Sequence, residues 1–235
     1  PAHCAYAMRD SEGLWHAINR AQQIMVETFD QPLAVTMGGA CVRVFQAHIP
    51  ESVKIDGMTN DLSEIVSSFV MRGGFCYCNR RYSGPVWKYD INQAYAAAMR
   101  EAALPGGGAL HMTGTPPPNL RAYVARLKKA IKPDNAIPFY YRHHDGARIR
   151  SLFALTEIKE TWLTSIEINQ LRAEGWQFAI AEYWAWRESF SMREYVDKLE
   201  RLRTTCEGGP SGPIGTMIKA TGNHSYGKTV EVIEP

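Results

Sequence analysis

Three residues late in the chain could do chemistry together. Lys219, Asn223 and Tyr226 lie in the stretch Lys219-Ala-Thr-Gly-Asn-His-Ser-Tyr226-Gly227-Lys228. On a helix, their spacing puts all three on one face. A cation, an amide and an aromatic ring side by side can hold a triphosphate, a polar edge and a flat ring or sugar. An ordinary surface helix that stops at a glycine would show the same residues. A second constellation runs Val86-Trp-Lys-Tyr-Asp90-Ile91, then Asn92-Gln93-Ala94-Tyr95 and an alanine-rich run. The alternation from Val86 to Ile91 predicts a strand, and the run to about Ala103 predicts a helix. A strand that ends on an Asp and turns into a helix presents a carboxylate at a sheet's rim, where a metal ion can take it as an oxygen ligand. Two smaller groups complete the set. Tyr6 and Asp10 lie one helical turn apart, and Met71-Arg72-Gly73-Gly74-Phe75 has paired glycines that let a backbone or a phosphate come close.

Taken in order, these groups resemble the motifs of family B DNA polymerases, in the protein-primed, phage-type branch. Lys219 to Gly227 resembles the Lys-x3-Asn-Ser-x-Tyr-Gly motif of the finger helix, with His224 in place of the serine. Asp90 to Ala96 resembles Asp-x-x-Ser-Leu-Tyr-Pro, with Gln93, Ala94 and Ala96 as departures. Arg72-Gly73-Gly74 is similar to the Tyr-x-Gly-Gly loop between the exonuclease and polymerase parts, although Met71 stands where the family has tyrosine. Tyr6 and Asp10 resemble the last motif, Tyr-x3-Asp, of the accompanying 3′–5′ exonuclease.

The resemblance implies roles. Asp90 would bind both catalytic Mg2+ ions, and Asp10 a metal ion of the exonuclease, with Tyr6 orienting the attacking water. Tyr95 would pack under the deoxyribose. The backbone of Ile91, Asn92, Gln93 and Ala94 would meet the triphosphate, Arg203 and Lys219 would neutralise it, and Asn223 and Tyr226 would complete the nucleotide site. Arg72, Gly73, Gly74, Tyr226 and Gly227 would meet the template strand. Implied partners are a DNA template-primer, deoxynucleoside triphosphates and a terminal protein as primer. The implied fold is α+β, an incomplete right hand. Residues 1–33 would end an exonuclease domain, 34–101 begin the palm, 102–189 form an inserted subdomain, 190–228 the fingers, and 229–235 the return to the palm. The family's second carboxylate motif, Tyr-x-Asp-Thr-Asp, does not occur in the sequence. These residues alone are therefore expected to catalyse little. The alternative is a non-catalytic nucleic-acid-binding or assembly module derived from a polymerase.

Composition agrees with a folded enzyme domain. The 235 residues are 45% hydrophobic and 21% charged, enough to bury a core. A net charge of +2 supplies no global basic field, so any nucleic-acid contact must be local. An odd set of five cysteines points to reduced thiols, and Cys76-x-Cys78 lacks zinc-knuckle spacing. No apolar run is long enough for a bilayer and no signal peptide is visible. Membrane partners are thus not expected, and the cytoplasm, of a bacterial host for a viral protein, is. The start at Pro1 suggests a piece of a longer protein.

The elements that must position these residues follow from periodicity. Leu14, Ile18, Ala21, Met25 and Phe29 predict a helix over 8–29. Residues 33–60 read as a linker with short elements because Gly38-Gly39, Pro50 and Asp56-Gly57 punctuate them. Leu62, Ile65, Val66 and Phe69 predict a helix capped by Asn60 or Asp61. Pro105 and the glycines after it should end the helix that follows Tyr95. Residues 122–129 fit strand or helix, and the family resemblance favours strand. Arg142, His143, His144, Arg148 and Arg150 form a basic patch, either a solvated face or a DNA contact. A helix over 161–173, capped by Thr161 or Thr164, should turn Leu163, Ile166 and Leu171 inward. Gly175 should close that helix, and a strand over 176–186 should follow, with Trp176, Phe178 and Ile180 on one face. Ser191-x-x-Glu194 reads as a capping box ahead of the stripe Met192, Tyr195, Val196, Leu199 and Leu202. A Gly/Pro loop leads from there to the Lys219 helix.

Overall fold

The structure is a computed structural model that describes residues 2–72, 83–91, 93–134, 136–146 and 148–229, with side chains from Cys4 to Ser225 within them. It divides into two compact units. One holds residues 1–49, 91–102 and 191–235, and the other 50–90 and 103–190.

The second unit is built on an antiparallel sheet. Its strands are β1 (Leu104–Thr113), β2 (Tyr123–Ile131), β5 (Glu157–Ile158), β6 (Thr161–Thr164) and β7 (Gln177–Phe190). The order is β1-β7-β2, and the far edge of β2 carries β6 along Val124–Leu127 and β5 at its end. A separate hairpin pairs β3 (Phe139–Asp145) with β4 (Arg148–Ala154). One face of the sheet buries Tyr123, Ala125, Leu127, Ile180 and Tyr183. Against them pack helix α5 (Ser165–Ala173), through Ile168 and Leu171, and the hairpin, through Phe139 and Tyr141. The other face offers Val124, Trp162, Trp184 and Trp186. It is covered by α3 (Asn60–Ile65) and a π-helical turn at Val66–Val70, with Leu62 fully buried.

The first unit is helical. It contains α1 (Ala2–Phe29), α2 (Met37–Gln46), α4 (Ala94–Glu101), α6 (Arg193–Thr205) and α7 (Pro213–Thr229). Helix α7 packs on α2, α4 and α6. Its buried face is made of Ile218, Thr221, Gly222 and Ser225, mostly small residues that permit close approach. A Cβ added at Gly222 would lie 3.3 Å from Leu199 of α6. Tyr195 and Ser225, 3.0 Å apart, tie α6 to α7 inside this packing. Ser225 also donates to the Cys41 carbonyl of α2 or to that of Thr221. Burial without a charged partner pushes the Tyr195 hydroxyl up to about 12.

Several sequence expectations need correction. Residues 86–91 form no strand: every one of Pro85 to Ile91 lacks regular structure, and no strand among the described residues pairs with it. Residues 37–46 are a helix, not linker. Thr36 accepts from the Gly39 amide at 3.0 Å, and Ala40, Cys41, Val44 and Phe45 supply a buried stripe that outweighs the two glycines. Pro105 and the glycines do not merely stop a helix, since they lie within β1. There the pairing with β7 shifts register between Gly106 and Ala109, Gly107 adopts φ +69°, and Gly107 N bonds Lys54 O at 2.6 Å. Helix α3 is capped by Thr59 rather than by Asn60 or Asp61. Residues 161–164 are strand β6, so α5 begins later, at the capping box of Thr164 and Glu167. Leu163 and Leu171 are buried, but Ile166 is exposed and Ile168 takes its place. Helix α6 is not closed by a Ser191–Glu194 box: Met192 is its N-cap, and Ser191 Oγ accepts only from Arg193 N.

Other expectations hold. The first helix runs from Ala2 to Phe29, residues 123–131 are strand, and Trp176, Phe178 and Ile180 pack on one core. Gly175 ends α5 at φ +78°. Among the described residues no helix is long and apolar enough to cross a membrane.

Candidate functional site

Helix α7 sets the rim that the Lys219 spacing suggested. Its buried stripe faces α2 and α6, which leaves Lys219 and Asn223 exposed along the opposite side. Neither makes an ion pair among the described residues. Tyr226 and Gly227 follow on the same helix, and the position of the Tyr226 side chain falls outside what the structure describes. His224 is exposed too. At about 100° per residue it points roughly 140° away from Lys219, so it is not part of that rim.

Arg203 lies in the last turn of α6. Its Nε is buried and has no hydrogen-bond partner among the described residues. Helix α6 runs antiparallel to α7, as Tyr195 beside Ser225 and Leu199 beside Gly222 require. The loop between them turns at Gly208 (φ +78°) and Gly209 (φ +67°). Helix α4 joins the same unit through Arg100, which pairs with Asp197 at 2.6 Å and Glu200 at 2.5 Å, and through Glu101 to Arg193 at 2.8 Å. Tyr95, in the first turn of α4, is exposed. Thus Tyr95, Arg203, Lys219 and Asn223 belong to one compact unit.

The turn into α4 is strained. Gln93 is its N-cap with φ +52°, in the left-handed region that costs a non-glycine residue about 1 kcal/mol. Gln93 O accepts from Ala97 N at 2.9 Å, which fixes the backbone where the resemblance expects phosphate contacts. Ile91 is exposed, Ala94 begins the helix, and Asn92 lies outside the described residues. Asp90 belongs to the other unit. It is exposed and forms no ion pair among the described residues, so its oxygens are uncommitted. Among the described residues no group of three acidic, His or Cys side chains could hold a metal ion. Asp90 fits Mg2+ as one oxygen ligand, and a complete site needs further oxygens.

Tyr6 and Asp10 are exposed on one face of α1. Gly73 and Gly74 lie outside the described residues. Arg72, next to them, is held by Glu167 and by the Tyr140 carbonyl, a partnership that nothing local in the sequence announces. The basic patch is partly structural as well. Arg142 donates to Ser67 O and Ser68 O, and His143 Nδ1 lies 2.9 Å from Glu160 O. Arg150 pairs with Asp145.

Comparison with known proteins gives the family and the fold. The family model for DNA polymerase type B, organellar and viral, matches residues 5–234. The chain belongs to that family. A probable DNA polymerase of Ascobolus immersus is 21% identical over 196 residues, which are 83% of this chain and 16% of the relative. Among solved structures, phi29 DNA polymerase in an orthorhombic crystal form matches with TM-score 0.65 at 18% identity, over 85% of this chain and 37% of that one. The same polymerase complexed with primer-template DNA and incoming nucleotide substrates matches at 0.58, with 18% identity, over 83% of this chain and 36% of that one. The chain therefore spans about a sixth of the fungal relative and little more than a third of the phi29 enzyme. The resemblance to family B polymerases stands on the family match and on this likeness of fold. So does the α+β class, as part of a polymerase fold.

Proposed function

We propose that these residues supply the nucleotide-gripping helices and the first metal-binding carboxylate of a protein-primed DNA polymerase. The observation that carries the reading is the α6–α7 pair. It leaves Lys219 and Asn223 exposed on one helical face, and the Arg203 guanidinium Nε is buried without a hydrogen-bond partner among the described residues. Two cations in one unit suit a triphosphate, Lys219 as a point charge and Arg203 as a fork. Asn223 and Tyr226 offer an amide and a ring to the rest of the nucleotide. Tyr95 packs under the sugar and disfavours a 2′-hydroxyl. The backbone from Ile91 to Ala94, turned by the strained Gln93, presents N–H groups to phosphate oxygens. The domain boundaries follow from the same reading: 1–33 ends an exonuclease domain, 34–101 starts the palm, 102–189 is inserted, 190–228 forms the fingers, and 229–235 returns to the palm.

The reaction is in-line attack of a primer 3′-hydroxyl on the α-phosphate, with pyrophosphate leaving. Asp90 would hold Mg2+, which when bound stabilises charge on the attacking and leaving oxygens. The rest falls to this chain's side chains, which bind and orient the nucleotide. With one carboxylate of the pair, these 235 residues extend primers poorly by themselves. Tyr6 and Asp10 belong to an exonuclease site, Asp10 as a metal ligand. Gly73, Gly74, Tyr226 and Gly227 meet the template strand, and a terminal protein serves as primer. The phi29 structures with primer-template DNA and nucleotides support DNA and deoxynucleotides as partners.

The test is primer extension by the whole polymerase that contains these residues, wild type beside Asp90→Ala and Lys219→Ala. Asp90→Ala should lower the rate by at least ~100-fold, the scale of losing a charge-stabilising group at the reacting centre. Lys219→Ala should act chiefly on nucleotide affinity. Equal rates for Asp90→Ala and wild type would remove the metal-ligand role.

A further inference from the structure

The residues just before Gly73 are held by two arginines. Val66–Val70 is a π-helical turn, a feature that is rare and costly without support. Arg142 of β3 donates to its Ser67 and Ser68 carbonyls at 3.3 and 2.9 Å. Two residues past the turn, Arg72 donates to the Tyr140 carbonyl at 2.7 Å and pairs with Oε1 of Glu167. The arginine and glutamate side chains are only 12% and 18% exposed. The guanidinium carbon also lies 5.9 Å from the centre of the Tyr140 ring. Oε2 of Glu167 is engaged as well, accepting from the Thr164 amide and hydroxyl at 2.9 Å each, so one carboxylate both caps α5 and holds Arg72. Moving Arg72 to a phosphate would strand a largely buried carboxylate and give up the bond to the Tyr140 carbonyl.

We infer that Arg72 is a positioning residue. Its pairing with Glu167 and its bond to Tyr140 fasten the chain to α5 and β3 and set where the Gly73-Gly74 run begins, and Arg72 itself meets no DNA phosphate. The DNA part of this inference rests on the reading that Gly73 and Gly74 meet the template, whereas the fastening does not. Arginine is suited to the task because its planar fork serves two acceptors in fixed directions, a geometry that the single nitrogen of lysine does not reproduce.

The test uses this 235-residue chain as wild type, Arg72→Lys and Glu167→Gln. Glutamine can still close the α5 cap, so Glu167→Gln removes charge without removing the helix start. Amide hydrogen exchange over residues 66–72 and 139–142 is read without DNA. Exchange there should speed up by about tenfold in both single variants. Binding of a fluorescent single-stranded oligonucleotide is then followed by anisotropy across a salt series. Both single variants should weaken it by a similar factor, on the order of fivefold, with the slope of log K against log salt unchanged, since no phosphate contact is lost. Wild-type exchange and affinity in Arg72→Lys, with no effect or tighter binding in Glu167→Gln, would overturn the inference. So would a slope about 0.7 smaller in an Arg72→Gln variant, the signature of one lost phosphate contact on a single strand. Should the wild type bind no DNA, the template reading fails while the exchange data still decide the fastening.

Discussion

Two stretches of this chain carry the same signal and end differently. Val86 to Ile91 and Trp176 to Trp186 both alternate aromatic and β-branched residues with polar ones. The later stretch becomes part of the central strand β7, paired on one side with β1 and on the other with β2. The earlier one has no strand partner among the described residues, and Val86, Trp87, Tyr89 and Ile91 are 80, 83, 89 and 74% exposed. Strand propensity measures how well a side chain fits a pleated, half-buried surface, so it comes to nothing where that surface is missing. Trp176 has Phe139 in an edge-to-face contact at 6.3 Å and a core around it, while Trp87 faces water.

The contrast breaks most sharply if Trp176 is removed. Trp176→Ala should cost about 3–5 kcal/mol, the range for emptying a buried indole site. Urea unfolding followed by circular dichroism reads it, and a loss below about 1 kcal/mol would mean the core has collapsed around the gap. A smaller effect is expected at the neighbouring edge. A Cβ on Gly106 of β1 would lie 2.6 Å from Val53 Cγ1 and 3.4 Å from Phe190 Cδ1. Gly106→Ala must displace Val53, at about 1–3 kcal/mol, and should speed amide exchange near the β1–β7 register shift. Unchanged exchange there would show that residues 53 and 54 do not depend on this close approach.

The helical unit stabilises itself by another means and sharpens the comparison. Its close packing contains a hydrogen-bonded hydroxyl pair, Tyr195 and Ser225. Tyr195→Phe should cost roughly 1 kcal/mol, the net worth of one such bond. It should also change the alkaline limb of stability. The folded value for Tyr195 is raised from 10.0 to about 12, so the unfolded chain loses its proton first. The contribution of Tyr195 is complete below pH 10, declines between about 10 and 12, and then levels off. Phenylalanine should flatten that decline, and urea midpoints measured from pH 9 to 11.5 report it. A variant with an undiminished slope would assign the decline to other groups.

What could be read from sequence was whatever local physics decides. The cap of α5 is a Thr164–Glu167 box within one turn, and the face of α7 that carries Lys219 and Asn223 follows from helical periodicity alone. Trp176, Phe178 and Ile180 declare one side of a strand by alternation. Long-range partners decided the failures. Pro105 and its glycines look like a helix stop, yet pairing with β7 and the approach of Lys54 make that run a bulged strand. Gly38 and Gly39 look like punctuation, yet the buried Cys41, Val44 and Phe45 hold them in α2. Within the candidate site, the residue types of Asp90 and Lys219 are plain, whereas the Arg72–Glu167 pair joins residues far apart in the chain and had no local sign. The four-residue segment before α5 turned to strand because β2 had an open edge for it.

The smallest expected effect tests the comparison from its empty side. Trp87→Ala removes as large a ring as Trp176→Ala, from a stretch with the same alternation. With Trp87 83% exposed, little apolar area returns to water on unfolding, and the change should stay within about 0.5 kcal/mol. Trp87 should also be open to acrylamide, so the variant should lose the most quenchable part of the tryptophan emission, while Trp176→Ala should lose a shielded part. The outcome that matters is a large one. A loss above about 2 kcal/mol, with emission that acrylamide hardly reaches, would mean that 86–91 is buried as a strand after all. Asp90 would then stand at the rim of a formed sheet, and the difference between the two stretches would vanish.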